Sequence, residues 1–480
     1  MKKGKPNPSA NRSIRGFAAG IGVLFLGIVL YLAYFLTAES ETVINNSYNS
    51  RISAMEERMI RGSILADDGT VLARTVVATD SNGTEMETRE YPYGELFAHA
   101  VGYSSAGKTG VEALANFQLL RAHGNFLENG LKELAGEKKT GDSVVTTFNL
   151  RLQQIAYEAL GDRRGAVAAM DPSTGKILCM VSKPAFDPNT VAENWESLIH
   201  GDTAEARLLN RVTQGLYPPG STFKILTALQ YMREHPGAYK EYRFDCSGIF
   251  AYESYQIRCY HQNAHGEQDF AQAFANSCNG AFANLGLSLD LAGLKGLAEQ
   301  LLFNRDLPLS LPYSKSSYQM DSGAGDWEIL QTSIGQGQTL ISPMHNLLIM
   351  SAIANDGVLM RPYLIDRVEN ASGELVKEFR PSEAAELMVP NEAAALQELL
   401  IQVVNEGTGS ALKRDTYQAA GKTGSAEFET GKETHAWFVG YAPAEDPKIA
   451  VCVIVEEGGS GGGTAAPIAA ELMDAWLLGE

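Results

Sequence analysis

The chain has 480 residues, 45% hydrophobic and 20% charged, a globular composition too long for one ordinary core, which predicts two or three domains. It carries 39 Lys and Arg against 57 Asp and Glu, a formal net charge of −18. So acidic a body excludes nucleic acid as a partner, because phosphate binding needs a basic footprint.

The charge is unevenly spread. Residues 1–15 hold Lys2, Lys3, Lys5, Arg12 and Arg15 and no acid. Gly16 to Ala38 is an uncharged, mostly apolar run of 23 residues, long enough to cross a bilayer as a helix. Beyond it, 34 basic residues face 57 acidic ones. The basic flank before the run, with Glu39 and Glu41 after it, predicts a cytoplasmic N-terminus and an exterior body by the positive-inside rule. A cleaved signal peptide is the rival reading, but the run is long for one and Leu36-Thr37-Ala38 is a poor cleavage site. The expectation is a cytoplasmic tail at 1–15 and a single-pass membrane anchor at 16–38.

Residues 39–142 read as a smaller mixed module. Arg61-Gly62-Ser63-Ile64-Leu65-Ala66-Asp67-Asp68-Gly69 has the pattern of a strand and a hairpin turn. Lys108-Thr109-Gly110 leads into a helical stretch and is read as structural. From residue 143 to 480 the pattern sharpens into a second domain. Val144–Thr147 reads as a strand and Asn149–Leu160 as a helix by its apolar period. Gly165–Met170 and Lys176–Val181 form a hairpin around Asp171-Pro172-Ser173-Thr174-Gly175. The middle, 185–420, is expected to be mostly helical. Lys422–Phe428, His435–Ala442 and Ile449–Glu457 read as three strands, then a Gly-rich loop (458–463) and a helix, Ala465–Leu478. Strands at both ends with helices between predict an α+β fold, one antiparallel five-stranded sheet flanked by helices with a helical subdomain.

Five cysteines are too few for a disulfide scaffold. Cys246 and Cys259 flank strand-like alternation, which fits a hairpin staple or two unrelated thiols. Cys259, His261 and His265 have no C-x-x-C companion, so neither a metal nor a cofactor is expected.

Three segments carry the chemistry. Ser221-Thr222-Phe223-Lys224 follows Tyr217-Pro218-Pro219-Gly220, which breaks the preceding element and sets Ser221 at a helix start. Ser221 and Lys224 are three apart and share a helix face. A lysine in the first turn is locally wrong, since the dipole is already positive there. Such a lysine, partly desolvated, loses proton affinity and can take a serine proton. Alone, the segment would more often be a serine cap beside a solvated lysine. Ser277-Cys278-Asn279 offers a second hydroxyl and an amide, although Asn279-Gly280 also makes a plain turn. Lys422-Thr423-Gly424-Ser425 opens a strand, with a glycine for close approach and charge and hydroxyls suited to a peptide carboxylate. The alternative there is an edge-strand lysine beside a bulge glycine. In this order the three match the S-x-x-K, S-x-N and K-T-G trio of penicillin-binding proteins and class A β-lactamases.

The chain resembles the class B penicillin-binding proteins, membrane-anchored D,D-transpeptidases of peptidoglycan synthesis. The resemblance runs from Arg61-Gly62-Ser63-Ile64 with Asp67 and Gly69, through Gly165-Ala166-Val167 with Asp171-Pro172 and Gly175, to Tyr217–Lys224. It continues through Gly335-Gln336-Gly337 with Ser342-Pro343, Ala354-Asn355-Asp356-Gly357 and Gly421–Glu427. Ser425 stands where the family usually has threonine, and keeps the hydroxyl. The resemblance implies the penicillin-binding transpeptidase fold, shared with serine β-lactamases, on a membrane-near pedestal. It implies Ser221 as nucleophile toward D-Ala-D-Ala stem peptides and β-lactams, Lys224 as its base and Ser277 as proton relay, tuned by Lys422. Asn279 would orient the substrate amide, Thr423, Gly424 and Ser425 would bind substrate, and backbone N–H groups of Ser221 and Ser425 would form the oxyanion hole. It implies a separate multi-pass membrane glycan polymerase as partner, the 39–142 module being too short for a glycosyltransferase. A D,D-carboxypeptidase, a β-lactamase and a non-catalytic sensor or scaffold are the rival functions.

Overall fold

The computed structural model describes residues 8–35, 56–79, 85–124, 138–202, 205–429 and 431–479. A helix, Pro8–Tyr34, opens the chain. It starts inside the segment read as a tail, because nothing between Pro8 and Arg15 breaks a helix. Arg15–Tyr34 is long and apolar enough to span a membrane and buries none of its surface in the protein. Residues 36–38 of the expected anchor, and Glu39 and Glu41, lie outside the described residues.

The membrane-near module is built on a six-stranded sheet. The turn at Asp67–Gly69 returns the Ile64–Leu65 strand into Val71–Thr79, which pairs antiparallel with Glu85–Glu90. On its other side Ile64–Leu65 runs parallel to Ser143–Thr146, which pairs with Ile365–Glu369, so this sheet takes strands from both sides of residue 142. Behind it, the Glu112 carboxylate is fully buried between Arg61 and Arg89, with Nε donors at 2.6 and 2.7 Å. Burial alone would raise its proton affinity, but the two guanidinium groups outweigh it and hold the carboxyl below its usual range. Lys108 of Lys108-Thr109-Gly110 pairs with Glu56 at the surface, and Gly110 begins the short helix Gly110–Leu114.

The larger domain is organised by one antiparallel sheet. Its strands lie in the order Ala420–Ala426, His435–Ala442, Ile449–Val455, Gly165–Met170, Ile177–Lys183. Alternation along these strands builds two cores. Ala166, Ala168, Met170, Cys452 and Ile454 face one way, into the cluster that holds the helix Pro343–Ala354. Val167, Ala169, Val451 and Val453 face the other, against Leu150–Leu160 and Ala466–Leu478. Every residue of Pro343–Ala354 is buried, which explains its apolar sequence on all sides. The sheet thus has helices on both faces, and five strands, as expected from the sequence.

The middle of the chain is less helical than expected. Between the helices lie the antiparallel pairs Arg243–Cys246 with Gly266–Asp269 and Ile249–Tyr252 with Tyr255–Arg258. Val358–Met360 with Glu383–Glu386 and Ile365–Glu369 with Leu375–Glu378 follow further on. Most of these strands have three or four residues, too few to register as a period in the sequence.

Replacing Glu112 by Ala leaves two largely buried guanidinium groups without their carboxylate. We expect a loss of roughly 3–5 kcal/mol from the membrane-near module. A thermal-unfolding midpoint unchanged from the parent would contradict this.

Candidate active site

The three sequence segments converge at the edge of the five-stranded sheet. Ser221 lies in a 3₁₀ turn, Gly220–Phe223, that runs directly into the helix Lys224–Glu234. Gly220 has a left-handed φ of +53°, and its missing Cβ would lie 3.0 Å from Ser425 O. The turn therefore sits against the edge strand at Ser425. Gly220 N donates to Gly335 O at 2.9 Å, and a Cβ on Gly335 would fall 1.8 Å from Gly220 O. Trp437 Nε1 donates to Pro218 O, tying the approach to the turn onto the next strand. Tyr217 is anchored by its hydroxyl on Glu456, which also receives Arg211.

Ser277 ends the helix Phe270–Ala275 in a residue conformation rare for a side chain, φ +54°. Cys278 N donates to Ala273 O and Ser277 N to Phe274 O, the bonding pattern of a Schellman cap. Glycine is the usual residue at this position. A serine there costs about 1–3 kcal/mol of backbone strain. Asn279 is not in a plain turn: it begins the helix Asn279–Gly286, with Cys278 as cap, because the Cys278 sulfur accepts from Ala281 N.

Two lysines meet at Ser277. Lys224, fully buried, donates to Ser277 O and Asn279 Oδ1, both at 2.7 Å, and more distantly to Ser277 Oγ at 3.4 Å. Lys422, also fully buried, donates to Ser277 Oγ at 2.9 Å and Thr423 O at 3.1 Å. Among the described residues neither pairs with a carboxylate. Burial pulls the Lys224 ammonium down to about 8, against smaller opposing effects of Cys278 and Cys259. Burial, and then the neighbouring Lys224 charge, push Lys422 well below its usual value.

The remaining expected residues line the same edge strand. Thr423 Oγ1 pairs with Thr408 Oγ1 at 2.5 Å, and Gly461 N donates to Ser425 Oγ at 3.3 Å. Gly424 has Thr222 and Trp437 within 3.2 Å of where a Cβ would stand. All eight residues singled out in the sequence therefore lie in one neighbourhood. Asn279 differs in detail, since its amide is spent on Lys224 and on Arg258 O. Sequence reasoning missed Thr408, Gly461 and the Gln336 side chain. The amide of Gln336 pairs with both main-chain groups of Glu427, donating to O at 3.0 Å and accepting from N at 3.2 Å. Only the Gly-rich character of 458–463 hinted at Gly461.

Three of the five cysteines gather beside this site. All five are free thiols, so the expected alternative of a staple between Cys246 and Cys259 is not what the structure shows. Cys246, Cys259, Cys278 and His265 instead form one compact cluster, while His261 lies exposed against Tyr260.

A serine within one helical turn of a buried lysine, a second serine between two lysines, and hydroxyls on the adjoining edge strand are the groups that acyl transfer to a peptide-like substrate needs. Residues 165–474 match the penicillin binding protein transpeptidase domain, and residues 61–144 match the penicillin binding protein A dimerisation domain. The peptidoglycan D,D-transpeptidase PbpA of Mycolicibacterium smegmatis is 32% identical, over 95% of this chain and 97% of its own length. The penicillin G acyl-enzyme complex of penicillin-binding protein A from M. tuberculosis superposes with a TM-score of 0.78 at 30% identity, covering 87% of this chain and 100% of that one. The D,D-transpeptidase domain of a peptidoglycan glycosyltransferase from Eggerthella lenta gives 0.77 at 33% identity, over 88% and 99%. The chain belongs to the penicillin-binding protein transpeptidase family, as a class B member.

Gly335→Ala tests how the nucleophile turn is held. Its φ of +81° and the Gly220 carbonyl leave no room for a Cβ. A strain of about 1–3 kcal/mol passed to the turn is expected to slow covalent labelling by a fluorescent penicillin roughly tenfold to a hundredfold. Labelling at the parent rate would show that the turn does not depend on this contact.

Proposed function

We propose that this peptidoglycan D,D-transpeptidase works through an acyl-enzyme on Ser221. The observation that carries the reading is Ser277 Oγ, held 2.9 Å from Lys422 Nζ and 3.4 Å from Lys224 Nζ, with both amines out of water. A neutral Lys224 amine takes the Ser221 proton as Oγ attacks the penultimate D-alanine carbonyl. Backbone N–H groups of Ser221 and Ser425 receive the charge that develops on the carbonyl oxygen. The peptide C–N bond then breaks. Its nitrogen receives the proton from Ser277, which is resupplied by Lys224, and D-alanine leaves. An amine from a neighbouring stem peptide attacks the ester carbonyl, and Ser221 recovers its proton as the C–O bond opens.

Lys422 is kept close to Ser277 by its donation to Oγ, and in its protonated form it offers positive potential to the terminal carboxylate. Thr423, Gly424 and Ser425 lie on the edge strand, where an extended peptide can add as a further strand. Asn279 fixes Lys224 through Oδ1, which supports a role in placing the base as well as a substrate amide. β-Lactams take the place of the D-Ala-D-Ala terminus and stay on Ser221.

The body, 143–480, lies outside the membrane and the N-terminus inside. The five basic residues before the apolar helix support this orientation. The 39–142 module acts as a pedestal that meets a separate multi-pass glycan polymerase. The exposed Val76, Val77 and Met86 on its hairpin support a protein-facing surface there.

Intact mass after benzylpenicillin tests the reading. One persistent adduct on the full chain is expected, and none on Ser221→Ala. An adduct that clears within seconds would favour β-lactam hydrolysis instead, and an adduct retained by Ser221→Ala would exclude Ser221 as nucleophile. Because the base works as the neutral amine, the acylation rate is expected to rise with pH through about 8 and then level off. A rate flat from pH 6 to pH 9 would contradict Lys224 as the base.

A further inference from the structure

We propose that Cys246, Cys259, His265 and Cys278 form a structural zinc site. Their four ligand atoms lie within 4.8 Å of one another. Cys246 Sγ is 3.7 Å from Cys259 Sγ, Cys259 Sγ is 3.8 Å from Cys278 Sγ, and Cys246 Sγ is 3.4 Å from His265 Nδ1. A tetrahedral zinc with bonds of about 2.3 Å to sulfur and about 2.0 Å to nitrogen sets sulfurs about 3.8 Å apart and sulfur about 3.5 Å from nitrogen. These three pairs already stand at those separations, and the remaining pairs lie within 4.8 Å.

The backbone brings them together for a reason. Cys246 closes the Arg243–Cys246 strand opposite Gly266, so His265 arrives beside it. The Ile249–Tyr252 and Tyr255–Arg258 hairpin loops out between them and returns at Cys259, whose N–H donates to Gly248 O. Cys278 caps the next helix. All three sulfurs are buried, and main-chain N–H groups of Gly248 and Ala281 point at Cys246 and Cys278, each at 3.4 Å. Such N–H donors form the outer shell that steadies thiolate ligands. Three thiolates and an imidazole favour zinc over calcium or magnesium, which take oxygen. Four protein ligands complete the tetrahedron and leave no open position, so the metal is structural rather than hydrolytic. It would clamp a small ribbon to the turn that carries Ser277 and Asn279. The ligands come from three separate elements, with no C-x-x-C pair, which is why the spacing argued against a metal.

The test uses the full chain, purified in detergent without a histidine tag and gel-filtered with EDTA. Elemental mass spectrometry should find about one zinc per chain, as a closed four-ligand site requires. A Cys246→Ser, Cys259→Ser double variant should lose at least tenfold. Should that variant fail to fold, parent protein produced in cobalt serves instead, where thiolate-to-cobalt charge transfer and tetrahedral visible bands are expected. Parent protein that binds penicillin but holds neither zinc nor cobalt overturns the proposal. So does a disulfide between these cysteines in freshly purified protein, or a folded double variant with its zinc intact.

Discussion

The site depends on the removal of two lysine amines from water. An ammonium group in a dry interior is costly, and two side by side are costlier. Lys224 and Lys422 meet that constraint by donating to one serine hydroxyl, two main-chain carbonyls and one amide oxygen. The same constraint lowers their proton affinity, so the strain of burial becomes the means by which a neutral amine exists near neutral pH. Aromatic rings of Phe282 and Phe274 stand over the two amines and supply what remains of their solvation.

The fold answers the geometric side of the problem. Lys422 comes from a strand, Lys224 from a helix start and Ser277 from a helix end, far apart in sequence. Close backbone contacts join them: Gly220 and Gly424 let the Ser221 turn lie tight against the edge strand, while a Cβ on Gly335 would collide with Gly220 O and one on Gly461 with Gly424 O. Behind them the fully buried Pro343–Ala354 helix and the tightly alternating central strands give a rigid wall. Just beyond the end of the Ala420–Ala426 strand, the Gln336 amide pairs with the main-chain groups of Glu427.

Much of this was legible in the sequence. The strands at 165–170 and 435–442 followed from apolar runs and turn residues, and the helix capped by Asn149 followed from its period. The eight candidate residues, which the structure brings into one neighbourhood, stood out because some residue types are locally misplaced, such as a lysine in a first helical turn. Less visible were features that depend on distant neighbours. The left-handed φ of Ser277 has no sequence signal, since it is a serine where a glycine would be usual. Glu112 looked like any helical glutamate until Arg61 and Arg89 closed on it. The short strands of 243–269 lacked the length to show a period, and with them went the meeting of Cys246, Cys259, His265 and Cys278.

The most direct test of the buried-amine mechanism is a nitrogen-15 NMR titration of the lysine amines, assigned with Lys224→Arg and Lys422→Arg. Lys224 is expected to titrate near 8 and Lys422 well below an ordinary lysine. Both titrating like solvated lysines, near about 10.4, would contradict a neutral base at Ser221 and with it the route of the proton.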